Sequence, residues 1–169
     1  MIRNFTFNNK LTSSITYLFV SSHYRIGDYH RYRIEIFSQP EREIFILHAL
    51  QSYDIAETMA LIHLPASNPS RIFIALHQSI LLAHSLRMKH TALTIAQNAY
   101  TAAMNDAINT PKNARVKLGF NNIMHVLSGN IVTLRFDVTH HLIDPILPPL
   151  DDFQRRQART NLIKDGILR

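Results

Sequence analysis

Arg31 and Tyr32 stand side by side in the segment Gly27-Asp28-Tyr29-His30-Arg31-Tyr32, and they are the chain's first candidate for recognising an anion. A guanidinium grips two phosphate oxygens in a planar fork, and a phenol adds one directed donor. A plainer use of the same arginine is also open. If the segment is helical, Glu35 lies one turn away at a spacing that suits an ion pair.

Other reactive side chains carry less. His140 to Asp144 spells His-x-x-x-Asp, a spacing used by some CoA-dependent acyltransferases, but Pro145 stands where glycine is usual and nothing else matches. His77 and His84 share a helix face two turns apart, roughly 10 Å, which is too far to chelate one metal. There are no paired carboxylates, no glycine-rich phosphate loop and no nucleophile elbow. The chain has no cysteine, so thiol catalysis, disulfides and thiolate zinc sites are excluded. These residues point to a protein that is not an enzyme and needs no cofactor or metal.

At 169 residues and 46% hydrophobic content the chain reads as one domain able to bury a core. Its net charge of +6 favours an anionic partner: a phosphorylated peptide, a nucleic acid or an acidic protein surface. Residues 1–27 hold Arg3, Lys10 and Arg25 but no acid, a weak likeness to an organelle transit peptide. No run reaches the ~18 apolar residues of a membrane span, because Gln78, Ser79 and His84 interrupt the most hydrophobic stretch. No membrane partner is expected.

The elements that must position Arg31 follow from local signals. Ser38-Gln39-Pro40-Glu41 predicts a helix start, with Ser38 as the cap and Pro40 in the first turn. Ile44, Leu47, Leu50, Ile55, Met59 and Ile62 then predict the buried face of a helix from about Pro40 to Leu64, closed by Pro65. Asn68-Pro69 starts the next, with Ile72, Leu76, Ile80 and Ala83 inward. A break near Arg87 to His90 leads to a stripe of Leu93, Ala96, Tyr100, Ala103 and Ala107, opposite Thr94, Asn98, Thr101 and Asn105. Small residues on one stripe predict two antiparallel helices in close approach. By local rules alone, Ile15 to Val20 and Tyr29 to Phe37 read as a hairpin, and Ile131 to Val138 as a further strand. The three prolines of Asp144 to Asp152 predict an extended linker before a basic, helical tail.

Set together, three blocks resemble the C-terminal portion of a 14-3-3 protein. Gly27-Asp28-Tyr29-His30-Arg31-Tyr32-Arg33-Ile34-Glu35 is similar to the family's Gly-Asp-Tyr-Tyr-Arg-Tyr-Leu-Ala-Glu. Asn68-Pro69-Ser70-Arg71-Ile72-Phe73-Ile74-Ala75-Leu76-His77 resembles its His-Pro-Ile-Arg-Leu-Gly-Leu-Ala-Leu-Asn. The patterns run without a gap from Gly27 through Met104, and Ile123-Met124, Leu127 and Asn130 fall on the family's last helix.

The resemblance implies an all-α fold, an antiparallel helical array, in which the strand-like segments are helical instead. It divides the chain into a non-matching segment 1–26, a helical domain 27–138, and a Pro-rich linker with basic tail 139–169. Arg31 and Tyr32 fall on the family's phosphate pocket. Leu76, Ile80, Ile123 and Val126 fall on the apolar wall of its peptide groove. Of two asparagines that clamp the peptide backbone, Asn130 is retained and the other becomes His77, which lacks the amide's paired donor and acceptor. His84 replaces a groove glutamate, and Thr133 and Leu134 replace a leucine and a tryptophan. The family's first four helices, with its dimer interface and a further lysine and arginine of the pocket, find no counterpart.

The expectation is therefore a divergent, truncated member: a cytoplasmic, non-enzymatic adaptor for phosphorylated protein clients. Self-association or a partner chain would supply the missing half. The alternative is a helical scaffold that has lost phosphopeptide binding and uses its basic surface on nucleic acid or an acidic protein.

Overall fold

Long stretches free of proline set the architecture. The computed structural model describes residues 2–110 and 114–140, and the side chains of 14–110 and 118–140. Five helices follow in order: α1 Ile2–Ile36, α2 Glu41–His63, α3 Pro69–Ser85, α4 Lys89–Asn109 and α5 Ala114–His140. The fold is all-α, with no strand among the described residues. The hairpin and strand suggested by local propensity at Ile15 to Val20, Tyr29 to Phe37 and Ile131 to Val138 are helical. The linker and tail beyond His140 lie outside the described residues.

The boundaries of α3 follow local chemistry, whereas α2 and α4 start without a side-chain cap bond. Asn68 caps α3 by accepting from the Ser70 amide at 2.9 Å, and Pro69 fills the first helical position. After α3 the chain reverses through Arg87, whose φ of 58° lies in the left-handed region, while the Met88 amide donates to the Leu82 carbonyl at 2.9 Å. A left-handed residue just past a helix end is usually glycine. At α2 the cap is Pro40, so Ser38 does not play the predicted role.

α1 and α2 pair antiparallel. Phe37 packs on Phe45, Asp28 meets Tyr53, and Val20 shares a cluster with Ala56 and Ala60. The predicted inner face of α2 is the wrong one. Phe45, Ile46, Ala49, Tyr53, Ala56 and Ala60 are buried, whereas Ile44, Leu47 and Ile62 are exposed and Leu50, Ile55 and Met59 half-buried. Ala49, Ala56 and Ala60 let the backbones approach, and Phe45, Ile46 and Tyr53 fill the core on the same face.

Gly27 marks the closest point of that approach. A Cβ there would lie 2.6 Å from Cε1 of the fully buried Tyr53 ring. Farther along, α3 packs against each of the other four helices. Its Ile72, Leu76, Leu82 and Ala83 join Ala92, Ala96 and Ala103 of α4 and Ile123, Leu127 and Leu134 of α5 in the main core. The α4 stripe is as predicted: Thr94, Asn98, Thr101 and Asn105 face outward.

Candidate functional site

Among the described residues α1 and α5 make no helix contact with each other, and α3 lies between them as a shared floor. The candidate site residues are spread across that surface. Arg31 and Tyr32 stand on α1, Leu76, His77 and Ile80 on α3, and Ile123, Val126 and Asn130 on α5.

Asp28 organises the α1 side. The buried Tyr53 hydroxyl donates to Asp28 Oδ1 at 2.6 Å, and His77 Nδ1 lies 2.5 Å from the same oxygen. That close His77 contact does not meet hydrogen-bond geometry. Burial raises the Tyr53 hydroxyl well above the usual phenol range; the bond to Asp28 and its negative charge add to that, and Arg31 opposes it.

Arg31 leans on the same carboxylate. Its Nε is 3.9 Å from Asp28 Oδ1, and one terminal nitrogen is 3.8 Å from Glu35 Oε1. These are distances of charge attraction rather than hydrogen bonding. The plainer role, a pairing with Glu35, is thus present, yet Nε is buried with no hydrogen-bond partner. The guanidinium carbon sits 4.4 Å from the centroid of the Tyr32 ring, a cation–π stack, and Tyr32 is exposed. The pair is therefore brought together at a solvent-facing edge.

A cleft of ≈ 380 Å³ opens beside Arg31, bounded by Glu35 of α1, Arg42 of α2, and Ile80 and His84 of α3. Toward α5, Ile80 is half-buried, while Leu76 and Ile123 are nearly fully buried in the core. Val126 is 52% exposed. Asn130 Nδ2 donates to the buried Ser79 hydroxyl at 2.8 Å, which in turn donates to the Leu76 carbonyl at 2.7 Å. The Asn130 amide is thus anchored to α3.

A family model described as 14-3-3 protein matches residues 9–134, most of the chain. The chain belongs to the 14-3-3 family. It is 33% identical over 78 residues to the 14-3-3-like protein of Chlamydomonas reinhardtii, covering 46% of this chain and 30% of that one. Against the 14-3-3 protein homolog of Encephalitozoon cuniculi it is 34% identical over 80 residues, 47% of this chain and 31% of the relative. A longer match, 29% over 119 residues, links it to 14-3-3-like protein B of Glycine max, covering 70% of this chain and 47% of the relative. The chain thus spans about a third to a half of the length of these relatives.

Within this 14-3-3 fold, three residues that sequence reasoning gave no role shape the site: Asp28, Tyr53 and Arg42. Asp28 was legible as an acid three residues before Arg31, a helical pairing distance. Arg42 carries a subtler mark, a cation in a first turn, where the helix dipole disfavours positive charge. Tyr53 left no such signal, since only the tertiary approach at Gly27 brings it to Asp28.

No described helix is long and apolar enough to cross a membrane. No group of three or more metal-ligating side chains is assembled among the described residues. His140 stacks on Phe136 at the end of α5, while Asp144 lies outside the described residues.

Proposed function

We propose that this 14-3-3 family member is a non-enzymatic protein-binding adaptor whose ligand is an extended segment carrying phosphoserine or phosphothreonine. The observation that supports the reading is the state of Arg31. Its guanidinium is backed by Tyr32 and by carboxylates at 3.8 and 3.9 Å, and its buried Nε has no acceptor. A phosphate offers that fork oxygens at hydrogen-bonding distance, and charged bonds of this kind contribute ~1.5–3 kcal/mol each.

The peptide flanking the phosphate is read along α3 and α5. Ile80 and Val126 supply apolar contact, and Leu76 and Ile123 form its backing. Asn130 keeps an amide oxygen for a peptide N–H while its nitrogen is held by Ser79. His77 contributes one ring nitrogen where an asparagine would contribute two groups.

Fluorescence polarisation with a phosphoserine peptide library and its unphosphorylated twin tests the reading, with Arg31→Ala as control. Phosphate-dependent binding that Arg31→Ala abolishes is the expected result. Equal binding of both sets, falling steeply with salt, would instead assign the chain to polyanion binding through its net positive charge.

A further inference from the structure

Arg42 enters the cleft beside Arg31 from a different helix. It lies in the first turn of α2, half-buried, and forms no ion pair among the described residues. Its neighbours Glu41 and Glu43 are exposed, and adjacent positions on a helix point about 100° apart, so they do not face it. A cation in a first turn opposes the helix dipole. Arg42 therefore contributes little to the fold that holds it, and its position suits a ligand better.

The charge arrangement in the cleft has the same sense. Arg31 and Arg42 supply two guanidiniums, and His84 adds an imidazole from the last turn of α3. Two carboxylates oppose Arg31: Asp28 at 3.9 Å, which also accepts from Tyr53, and Glu35 at 3.8 Å, which is 70% exposed and is the one that lines the cleft. At that length, with its carboxylate in solvent, the pair holds Glu35 weakly even though the Arg31 side chain is only 12% exposed. Glu35 can rotate into solvent at little cost, and the space it leaves adjoins both arginines.

We infer that Arg42 is a second guanidinium of the phosphate site, so that a phosphate monoester is held between α1 and α2 by Arg31 on one side and Arg42 on the other. Glu35 is the counter-ion that the phosphate displaces. This rests on the phosphopeptide reading for the source of the phosphate, but assigns recognition to a residue outside the Arg31–Tyr32 pair. A phosphate so placed has Ile80 at its edge, which admits the apolar flank of a peptide.

The test uses the full chain, a fluorescent peptide library with one fixed phosphoserine, its serine twin, and inorganic phosphate as competitor. Arg42→Gln lowers phosphopeptide affinity by about ten- to a hundredfold, the loss of one charged hydrogen bond, while the denaturation midpoint holds. Arg42→Lys keeps part of the affinity, because a point charge replaces the fork. Glu35→Gln raises affinity by about two- to fivefold.

Unchanged affinity in Arg42→Gln, with Arg31→Ala still abolishing binding, would overturn the role of Arg42 and leave the phosphopeptide reading standing. Wild-type protein that does not distinguish the two libraries would overturn both. If inorganic phosphate displaces the peptide at concentrations near the peptide's own, the cleft is a free-anion site and the peptide source is overturned.

Discussion

The Tyr53 hydroxyl donates to Asp28 at 2.6 Å across the α1–α2 contact, one residue from the position where Gly27 leaves the tyrosine ring its space. One glycine and one tyrosine thereby fix the carboxylate against which both His77 and Arg31 are set. Helix packing and the candidate site share this junction.

Gly27→Ala should destabilise the fold by about 1–3 kcal/mol, because the added Cβ meets a buried aromatic ring rather than a flexible chain end. Urea denaturation followed by circular dichroism checks this. An unchanged midpoint would mean that the helices separate without cost at this point.

Tyr53→Phe should cost about 1–3 kcal/mol, since it removes a donor from the Asp28 carboxylate without adding another. The hydroxyl also carries a pH signature. Its folded-state value is raised, chiefly by burial, so the folded state favours the neutral phenol. The unfolded chain loses that proton near the ordinary value of about 10, so the contribution is complete below pH ~10 and declines above it. The alkaline loss of stability should be shallower in Tyr53→Phe, and identical slopes for the two proteins would contradict the assignment.

His30 predicts the opposite limb. Burial, then the charges of His48 and Arg33, lower its folded-state value below the ordinary histidine value of about 6.5. Its contribution is therefore complete above about pH 6.5 and is lost as pH falls, when the unfolded chain takes up the proton more readily. Denaturation midpoints measured from pH 7.5 to 5 should fall, and His30→Gln should flatten that fall. A slope that survives the substitution would place the effect elsewhere.

Ile15, Leu18, Ile26, Tyr29 and Ile36 are exposed and recur at spacings that place them along one face of α1, opposite the buried Val20, Gly27 and Ile34. An apolar stripe of this length in solvent favours association. Light scattering on the isolated chain should show mass rising with concentration, and Leu18→Lys with Ile26→Lys should reduce it. A sharp monomer peak at micromolar concentration for the unmodified chain would refute this.

The same stripe explains why part of the fold was hard to read. A helix apolar on two opposite faces produces stretches such as Tyr32, Ile34 and Ile36, which alternate in sequence as a strand would. Local rules thus gave a hairpin, and only the spaced resemblance to a known helical family corrected it. α3 and α4 were legible because Asn68-Pro69 and the alanine stripe each state one structure. On α2 the helix was legible but its face was not, since a hydropathy count weighs Ile44 and Ile62 above Ala49, Ala56 and Ala60. In the site, Arg31 with Tyr32 could be picked out by type and adjacency. The approach of His77 to Asp28 joins two helices distant in sequence, which no local pattern encodes.

The central position of α3 has a consequence for how the molecule opens. Because α3 is packed against all four other helices, opening its central turns disrupts packing with each of them. Hydrogen exchange should therefore leave α3 protected longest, while the ends of α1 and α5 exchange early. The floor between the two walls is then the last element to unfold, so fraying at either wall leaves the other wall seated on α3.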